Sequence, residues 1–424
     1  MIDIKIIREN PNVIIDDLKK RKDTEKIVWL KDLIKKDKEA NEIKQKIDSL
    51  RHKRNTLSKE INQLKKQNKD IKHLLKEVKE IPTKIKNLED KHQKLREKIK
   101  YYLMRLPNLT HKSVPYGKDD QDNKVTSKWG EIKKQELKPH GEITEELNLI
   151  NFKKAAEVSG AGFHYLKNDL AHLNLALMQF TIDNLTKKGY ELVIPPLMLR
   201  KKPYEGVTDI EDFKNVMYKI EDEDLYLIAT SEHPIAAMYM NETIPEQDLP
   251  LKIIGISPCF RKEIGSRGID TKGLFRIHQF WKIEQFIFCK PEDSWKYHEE
   301  LQKNSEELYK KLKLPFRVVN VCTGDLGIAA AKKYDIEAWF PRQKAYKEVG
   351  SNSNCTDYQS RRLNIKYIDK SNKRQLIHTL NNTAIATSRT MVAILENYQK
   401  NNKVKIPAVL KPYMYGKNYL GEQK

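Results

Sequence analysis

Two mostly apolar stripes between residues 40 and 103 constrain the fold of this chain more than any other sequence feature. Their apolar positions recur at steps of three and four residues, which is the spacing of helices that pack along a coiled-coil seam. The polar segment KQNKD at 66–70 separates them, and so short a turn predicts an antiparallel helical hairpin. The first stripe is Ile43, Ile47, Leu50, Arg54, Leu57, Ile61 and Leu64, and the second is Ile71, Leu74, Val78, Ile81, Ile85, Leu88, His92, Leu95, Ile99 and Tyr102.

The solvent-exposed faces expected of this hairpin are basic. Residues 41–100 carry 19 Lys and Arg against 9 Asp and Glu, and residues 1–100 carry 30 against 18. The other 324 residues carry 50 against 41, so the first quarter holds more than half of the net charge of +21. A stiff basic arm of this kind suits docking along a nucleic-acid backbone. A dimerisation or spacer coiled coil with an ordinary solvated face fits the same pattern, and lysine-rich composition bias contributes to the charge.

The rest of the chain indicates an α+β protein. Residues 1–39 have a helical pattern, and the segment 106–124, rich in Pro, Asn, Asp and Gly, is predicted to be a linker. From about 125 helix and strand signals mix, with an amphipathic helix at 170–188 and the strand YELVI at 190–194. We therefore predict two domains, at 1–110 with its coiled-coil arm at about 40–103, and at 111–424.

Several classes of protein are disfavoured by composition. The four cysteines are far apart and form no CxxC pair, so neither a disulfide framework nor a cysteine zinc site is expected. The N-terminus has no apolar leader segment, and no apolar run approaches the length that crosses a membrane. A reducing, cytoplasmic location is the expectation that follows.

A strand–loop–strand pattern at 256–286 carries the clearest chemical signal. If the segment from Arg276 is a strand, every second side chain shares one face, which then holds cations, a carboxylate and an aromatic ring. The preceding strand adds Arg261 and Glu263, and a glycine-rich basic loop joins the two strands. An arginine fork suits phosphate oxygens, a ring suits a flat base, and carboxylates suit an amine. A surface sheet with cross-strand salt bridges is the alternative. The second strand's face comprises Arg276, His278, Phe280, Lys282 and Glu284.

This stretch, FRKEIGSRGIDTKGLFRIHQF at 260–280, resembles motif 2 of class II aminoacyl-tRNA synthetases, and in particular that of the seryl-tRNA synthetase family. Further stretches resemble the same family in the same order along essentially the whole chain. They are GYELVIPP (189–196, motif 1), TSE (230–232), IEAWFPRQKAYKEVGSNSNCTDYQSRR (336–362), TLNNTAIATSRTMVAILENYQ (379–399, motif 3) and IPAVLKPYM (406–414).

The resemblance implies a catalytic domain built on an antiparallel β-sheet flanked by helices, and it implies roles for individual residues. Arg261 would contact the α-phosphate of ATP, and Glu263 the amino group of adenine. Adenine would stack between Phe280 and Arg389. The ATP-binding set would be Arg261, Glu263, Arg276, Phe280, Glu348, Ser351 and Arg389, of which Arg261, Arg276 and Arg389 would be catalytic.

The same resemblance implies the serine and metal sites. The serine-binding set would be Thr230, Arg261, Glu284, Asn381 and Thr383, and Glu348 and Ser351 would hold Mg²⁺. ATP is implied as co-substrate, and no zinc is expected. The activity implied is ATP-dependent, AMP-forming ligation of serine to the 3′ end of tRNA-Ser, with tRNA-Sec as a further candidate. The basic arm would bind tRNA, motif 1 would form a homodimer, and no membrane is expected as a partner.

Four alternatives stand beside this interpretation. Relatives that charge threonine, proline, histidine or glycine usually carry a further domain after motif 3, whereas 35 residues follow Arg389. A zinc-dependent seryl-tRNA synthetase would need a cysteine ligand at the pocket. A catalytically inactive paralogue would be an RNA-binding protein, and a relative that loads carrier proteins would lack the arm. Departures from the family pattern are Gly350 and Asn352, in the run EVGSNSN, and His233, which follows TSE.

Overall fold

The computed structural model describes residues 1–132, 136–210, 214–263 and 273–422. It divides the chain into two compact units, one formed by Ile2–Leu106 and the other by Met1 with Pro107–Lys424. The assignment of functional domains to 1–110 and 111–424 stays a prediction. Within the predicted linker, the chain has neither helix nor strand between Leu106 and a short 3₁₀ turn at Asp120–Asp122.

The N-terminal unit is helical throughout. Its helices are α1 Ile4–Glu9, α2 Pro11–Lys20, α3 Thr24–Lys66 and α4 Lys72–Arg105. The side chains of Asp3 and Asp23 cap α1 and α3 by accepting backbone N–H groups. Pro11 occupies the first turn of α2, where a missing N–H costs nothing. Helices α3 and α4 form the predicted antiparallel hairpin, joined by the predicted turn.

One apolar seam holds the hairpin together. Both stripes contribute, as the heptad spacing predicts. Ion pairs between the helices, such as Arg51–Glu89 at 2.7 Å and Lys91–Glu39 at 2.7 Å, flank it. These pairs are solvent-exposed and contribute little, so apolar burial supplies most of the stability. The buried seam residues are Ile43, Ile47, Leu57, Ile61, Leu74, Ile81 and Ile85, with Leu50, Leu64, Ile71, Val78, Leu88 and Leu95 partly buried beside them.

The second unit is built on a large sheet. In the described part of the chain, eight strands lie in the order β1-β10-β11-β12-β15-β9-β8-β4, and all neighbours are antiparallel except β4 and β8. Smaller sheets pair β14-β13-β7, β16-β17, β2-β3 and β5-β6. The strands are β1 Lys124–Trp129, β2 Ile150–Asn151, β3 Tyr165–Leu166, β4 Glu191–Val193, β5 Met198–Leu199, β6 Tyr226–Leu227, β7 Thr243–Pro245, β8 Leu251–Phe260, β9 Gln279–Cys289, β10 Phe316–Asn320, β11 Lys332–Phe340, β12 Ala345–Asn354, β13 Lys366–Ile368, β14 Arg374–Leu376, β15 His378–Ala386, β16 Gln399–Lys400 and β17 Lys403–Val404.

Helices flank this sheet, which confirms the predicted α+β class. Helix α7 begins at Asn168 and ends at Thr186, close to the predicted 170–188, and its buried stripe of Leu170, Leu173 and Leu177 packs into the main core. The motif 3 stretch forms a strand followed directly by a helix. The helices of this unit in the described residues are α5 His140–Glu146, α6 Phe152–Ser159, α7, α8 Lys201–Val207, α9 Glu232–Ala237, α10 Ser294–Lys311, α11 Tyr358–Leu363 and α12 Thr387–Asn397.

Candidate active site

A pocket of about 440 Å³ opens on the face of the large sheet. Strands β9, β12 and β15, the start of α12 and the residues that directly follow β8 contribute to it. Thr230, Glu284 and Asn381 are not in its lining but lie in the hydrogen-bonded group behind it. The residues of the predicted site that line it are Arg261, Glu263, Arg276, Phe280, Glu348, Ser351, Thr383 and Arg389.

The β8–β9 hairpin differs from the prediction at the end where the loop joins the two strands. Strand β9 begins at Gln279, so the period-two alternation does not extend to Arg276. His278 turns away from the pocket, with its Nδ1 at 2.8 Å from the carbonyl oxygen of Arg261 and its ring against Phe163. Ile277 also lines the pocket. The predicted shared face is therefore wrong for His278. The joining loop predicted at 264–275 lies mostly outside the described residues.

The cationic side chains of the pocket have partners in this state. Arg276 forms an ion pair with Glu263, with Nε and Oε2 at 2.6 Å. Arg389 donates from Nη1 to the carbonyl oxygen of Glu348 at 2.8 Å. The guanidinium of Arg261 lies 5.4 Å from the centre of the Phe280 ring. Arginine side chains and an aromatic ring therefore line one cavity, and these groups suit a nucleotide polyphosphate.

The carboxylate of Glu284 is the buried centre of the adjoining group. Its Oε1 atom accepts hydrogen bonds from the hydroxyls of Thr230 and Thr383, each at 3.0 Å, and also contacts the ammonium of Lys282. Its Oε2 atom has no hydrogen-bond partner among the described residues. Glu284 is 1 % exposed. A buried carboxylate oxygen without a donor is costly, and an ammonium or hydroxyl donor would satisfy it.

Asn381 presents a second acceptor of the same kind. Its Nδ2 donates to Oε2 of Glu232, which leaves its Oδ1 buried and without a partner among the described residues. The other Glu232 oxygen accepts from Nε2 of Gln359 at 3.0 Å. Burial and the nearby Glu284 carboxylate raise the pKa of Glu232 to about 7. The sequence reasoning gave Glu232 no role of its own, although it belongs to the quoted TSE triplet.

Strand β12 brings Glu348 and Ser351 to one face. Three residues apart, they would point to opposite faces of a regular strand. A bulge at Val349 shifts the register, with Gly350 opposite Ile336 and Glu348 opposite Glu337, so both side chains reach the pocket. A carboxylate and a hydroxyl suit Mg²⁺, which usually takes one or two protein oxygens with water and phosphate.

Gly350, Asn352 and His233 depart from the family pattern, and the structure gives a reason for each. A Cβ at Gly350 would lie 2.9 Å from the carbonyl oxygen of Thr383 and 3.2 Å from Cγ2 of Ile336, so a larger residue does not fit without movement. Asn352 points to the opposite face, where its Nδ2 donates to the carbonyl oxygen of His298 at 2.9 Å. His233 is buried against Tyr204, with ring centres 4.8 Å apart, and burial lowers its pKa to about 3.

Beside the pocket, Lys333 and Asp335 form an ion pair at 3.1 Å that the sequence reasoning did not single out. Burial, followed by the neighbouring Glu348 carboxylate, raises the pKa of Asp335 to about 7, although Lys333 opposes this shift. The cations Arg389 and Lys333 hold the pKa of Glu348 below its usual value. Cationic and anionic side chains thus alternate around the pocket, an arrangement that suits a polyphosphate bound with a divalent cation.

Neither a metal-binding cluster of His, Cys, Asp or Glu nor a membrane-spanning helix is present among the described residues. Within them, no group of three or more His, Cys, Asp or Glu side chains is arranged to hold a metal ion. No helix in the same part of the chain has the length and apolar composition to span a membrane. The four cysteines are free and buried.

Family models assign the fold to a class. The model of the tRNA synthetase class II core domain (G, H, P, S and T) matches residues 217–398, which contain every residue that lines the pocket except Val216. The model of the seryl-tRNA synthetase N-terminal domain matches residues 1–110. The fold is therefore that of a class II aminoacyl-tRNA synthetase.

Full-length relatives identify the family within that class. The chain is 55% identical to a serine–tRNA ligase of Methanocella arvoryzae over 99% of this chain and 100% of the relative, and 48% identical to that of Pyrococcus horikoshii over 97% and 96%. The crystal structure of seryl-tRNA synthetase from Pyrococcus horikoshii complexed with ATP superimposes with a TM-score of 0.95, covering all of both chains at 48% identity. A cytoplasmic serine–tRNA ligase of Naegleria fowleri in complex with AMP gives a TM-score of 0.90 at 33% identity, over 100% and 99% of the two chains. The chain belongs to the seryl-tRNA synthetase family.

Proposed function

We propose that this protein activates L-serine with ATP and transfers the seryl group to tRNA-Ser. Identities of 48–55% with serine–tRNA ligases over nearly the whole chain support the ligase activity and argue against an inactive paralogue. One observation supports serine in particular, namely the pair of buried acceptors Glu284 Oε2 and Asn381 Oδ1. The ammonium and hydroxyl of serine are two donors for two acceptors. Alanine lacks the hydroxyl and would leave one acceptor unpaired, which is a strong basis for rejection.

The chemistry that we propose needs no side-chain nucleophile. A carboxylate oxygen of serine attacks the α-phosphorus of ATP, the bond to the β-phosphate oxygen breaks, and seryl-adenylate and pyrophosphate form. Arg261 would hold the α-phosphate, while Arg276 and Arg389 would hold the leaving phosphates. Fixed guanidinium groups in a pocket stabilise negative charge that develops in the transition state.

Binding of ATP then requires the pocket's ion pairs to rearrange. Glu263 is proposed to receive the adenine amino group and Arg276 the γ-phosphate, at opposite ends of the nucleotide. In the structure the two side chains contact each other at 2.6 Å. We infer that ATP replaces this pair, with adenine stacked between Phe280 and the Arg389 guanidinium.

Mg²⁺ is the proposed metal, held by Glu348 and Ser351. The bulge that brings both oxygens to the pocket, and the exposure of 47% of the Glu348 side chain, support this assignment. When bound, the ion would neutralise charge on the ATP phosphates. No zinc is proposed, because the pocket lining contains no cysteine or histidine among the described residues.

The second step and its tRNA partner follow from the family. A hydroxyl of the terminal tRNA adenosine, the 3′-OH in this class, attacks the carbonyl carbon of seryl-adenylate, and AMP leaves. The basic hairpin α3–α4 is proposed to bind tRNA-Ser through its phosphate backbone. Charging of tRNA-Sec by the same route is a further proposal.

A homodimer formed through motif 1 is also proposed, in the cytoplasm. Motif 1 contains β4 and follows α7, and several apolar side chains of this region are exposed in the single chain. Ile194 is 77% exposed, Leu175 57%, and Leu192 41%. A cluster of exposed large apolar residues is typical of an interface between subunits.

The test of the activity is ATP–pyrophosphate exchange by the purified protein with a panel of amino acids. We expect exchange with serine, and far less with threonine, alanine, glycine and proline. ATP binding without serine-dependent exchange would contradict the enzyme and favour an RNA-binding paralogue. Exchange driven by threonine or proline instead would show that the pocket was wrongly assigned.

A further inference from the structure

The mechanism above leaves one buried cation without a role. Lys282 lies on β9 two residues before Glu284, so both side chains point to the same face. Its side chain is 11% exposed, and it lines the pocket beside Arg261 and Thr383. Its ammonium contacts Oε1 of Glu284 and lies 3.5 Å from the hydroxyl of Thr230.

A buried lysine is expensive, and a structural ion pair alone repays that cost poorly. Replacing such a pair with apolar residues of similar volume is often neutral or stabilising. This ion pair, however, lies where the polar groups of the amino acid are proposed to bind. Its position raises the question of what the lysine does there when serine is present.

The two carboxylate oxygens of Glu284 have different surroundings. Oε1 has three donors, from Thr230, Thr383 and Lys282, whereas Oε2 has none among the described residues. The ammonium of serine can therefore bind Oε2 without displacing Lys282. Only the α-carbon separates that ammonium from the carboxylate of the same amino acid, so the carboxylate is brought close to Lys282.

The carboxylate of serine would otherwise enter an unfavourable field. Glu284 and Glu232 lie on this side of the pocket, and each repels a third carboxylate. Arg261 belongs to both the predicted serine set and the predicted ATP set, so it must also serve the α-phosphate. Of the other cations lining the pocket in the described residues, Arg276, Arg389 and Lys333 contact Glu263, Glu348 and Asp335 respectively. Lys282 is the cation whose carboxylate partner is itself part of the proposed serine site.

We propose that Lys282 binds the α-carboxylate of serine and so positions the attacking oxygen while Glu284 holds the ammonium. The pair Lys282–Glu284 thus recognises the zwitterion, and Asn381 recognises the hydroxyl. This role rests on the proposed serine activation. It makes Lys282 a specificity residue for free amino acids over amino amides and amino alcohols.

The test compares serine with L-serinamide, which keeps the ammonium and hydroxyl and lacks the carboxylate. Binding of each to the wild type, Lys282→Met and Lys282→Arg is measured by calorimetry on the full chain. For Lys282→Met we expect a 10- to 100-fold weaker Kd for serine, with serinamide changed less than about threefold or bound more tightly. Lys282→Arg should restore a large part of the serine affinity. The thermal unfolding midpoint of each variant checks that the chain is folded.

A matched control is Lys252→Met, on the neighbouring strand β8, where the lysine pairs with Glu300 outside the pocket. Its serine affinity should equal that of the wild type. Equal losses for serine and serinamide in Lys282→Met would mean that the lysine only supports Glu284, and the proposal would be overturned. Unchanged serine affinity would overturn it too. If Lys282→Met does not fold, Lys282→Gln replaces it with the same two outcomes. Failure of the wild type to bind serine at all would instead contradict the proposed function.

Discussion

At the scale of single residues, the sequence pointed to chemistry but not to contacts. Arg261, Glu348 and Arg389 line one pocket, although 128 residues separate the first from the last. Their residue types and quoted motifs were enough to nominate them. Glu232 was missed because its role depends on a hydrogen bond to Asn381, 149 residues away along the chain. No local pattern announces such a partner.

Gly350 is expected to be required by close packing. In Gly350→Ala the new methyl group meets the Thr383 carbonyl oxygen at 2.9 Å, so β12 or β15 must shift. We expect a loss of about 1–3 kcal/mol in the free energy of unfolding and reduced serine-dependent exchange, because Glu348 and Ser351 flank this residue. Denaturant unfolding and exchange assays measure the two effects. Gly327→Ala is the control, because a Cβ there has no neighbour within 4 Å. Equal stability of the two variants would contradict the packing argument.

Glu232 is expected to make stability depend on pH. Burial and Glu284 raise its pKa from 4.5 to about 7, so the folded protein binds this proton more tightly than the unfolded chain. Stability contributed by the protonated form is therefore lost as pH rises from about 4.5 to about 7. Relative to Glu232→Gln, the wild type should lose on the order of 2 kcal/mol over that range, a value reduced for partial exposure. Unfolding of both proteins across this window measures the difference. Parallel pH profiles would argue against the shifted titration.

At the scale of elements, periodicity was the reliable guide. The three–four spacing of the arm located the turn and the whole of α4 within a few residues, whereas α3 begins at Thr24, well before the predicted start of the arm at about residue 40. The start of β9 was misplaced by three residues, because Arg276–His278 has a strand-like pattern without strand pairing. The bulge in β12 was also invisible in sequence, because a bulge depends on the register with β11.

Removal of the arm should separate the two steps of the reaction. Deleting residues 41–101 and rejoining the ends removes most of both long helices but no residue of the pocket. We expect tRNA charging to be abolished and serine-dependent exchange to stay within about a few-fold of the wild type. The physical reason is loss of the basic surface that attracts phosphate. Charging that survives the deletion would show that the arm's role was wrongly assigned.

At the scale of the whole molecule, sequence relationship and fold agree. The two family models match opposite ends of the chain, and the ATP-bound relative superimposes over its full length. The apolar surface that the single chain exposes allows a prediction about subunit association.

The exposed motif 1 surface should be required for dimer formation. Ile194→Glu places a charge on a side chain that is 77% exposed in the single chain and is proposed to be buried between subunits. We expect the variant to sediment as a monomer where the wild type is a dimer. Val28→Glu, at a residue of the N-terminal unit with 64% exposure, is the control and should stay dimeric. A dimeric Ile194→Glu would place the interface elsewhere.

The sequence by itself determined the helical arm, the α+β class, the family and the identity of most candidate site residues. These follow from local periodicity and from residue types in short motifs, which need no knowledge of neighbours distant in the chain. Tertiary structure alone decided that His278 leaves the pocket, that Glu348 and Ser351 share a face, and that Glu284 and Asn381 retain unpaired acceptors. Each of these depends on which strands pair, in what register, and which polar atoms are buried, and these are properties of the assembled sheet.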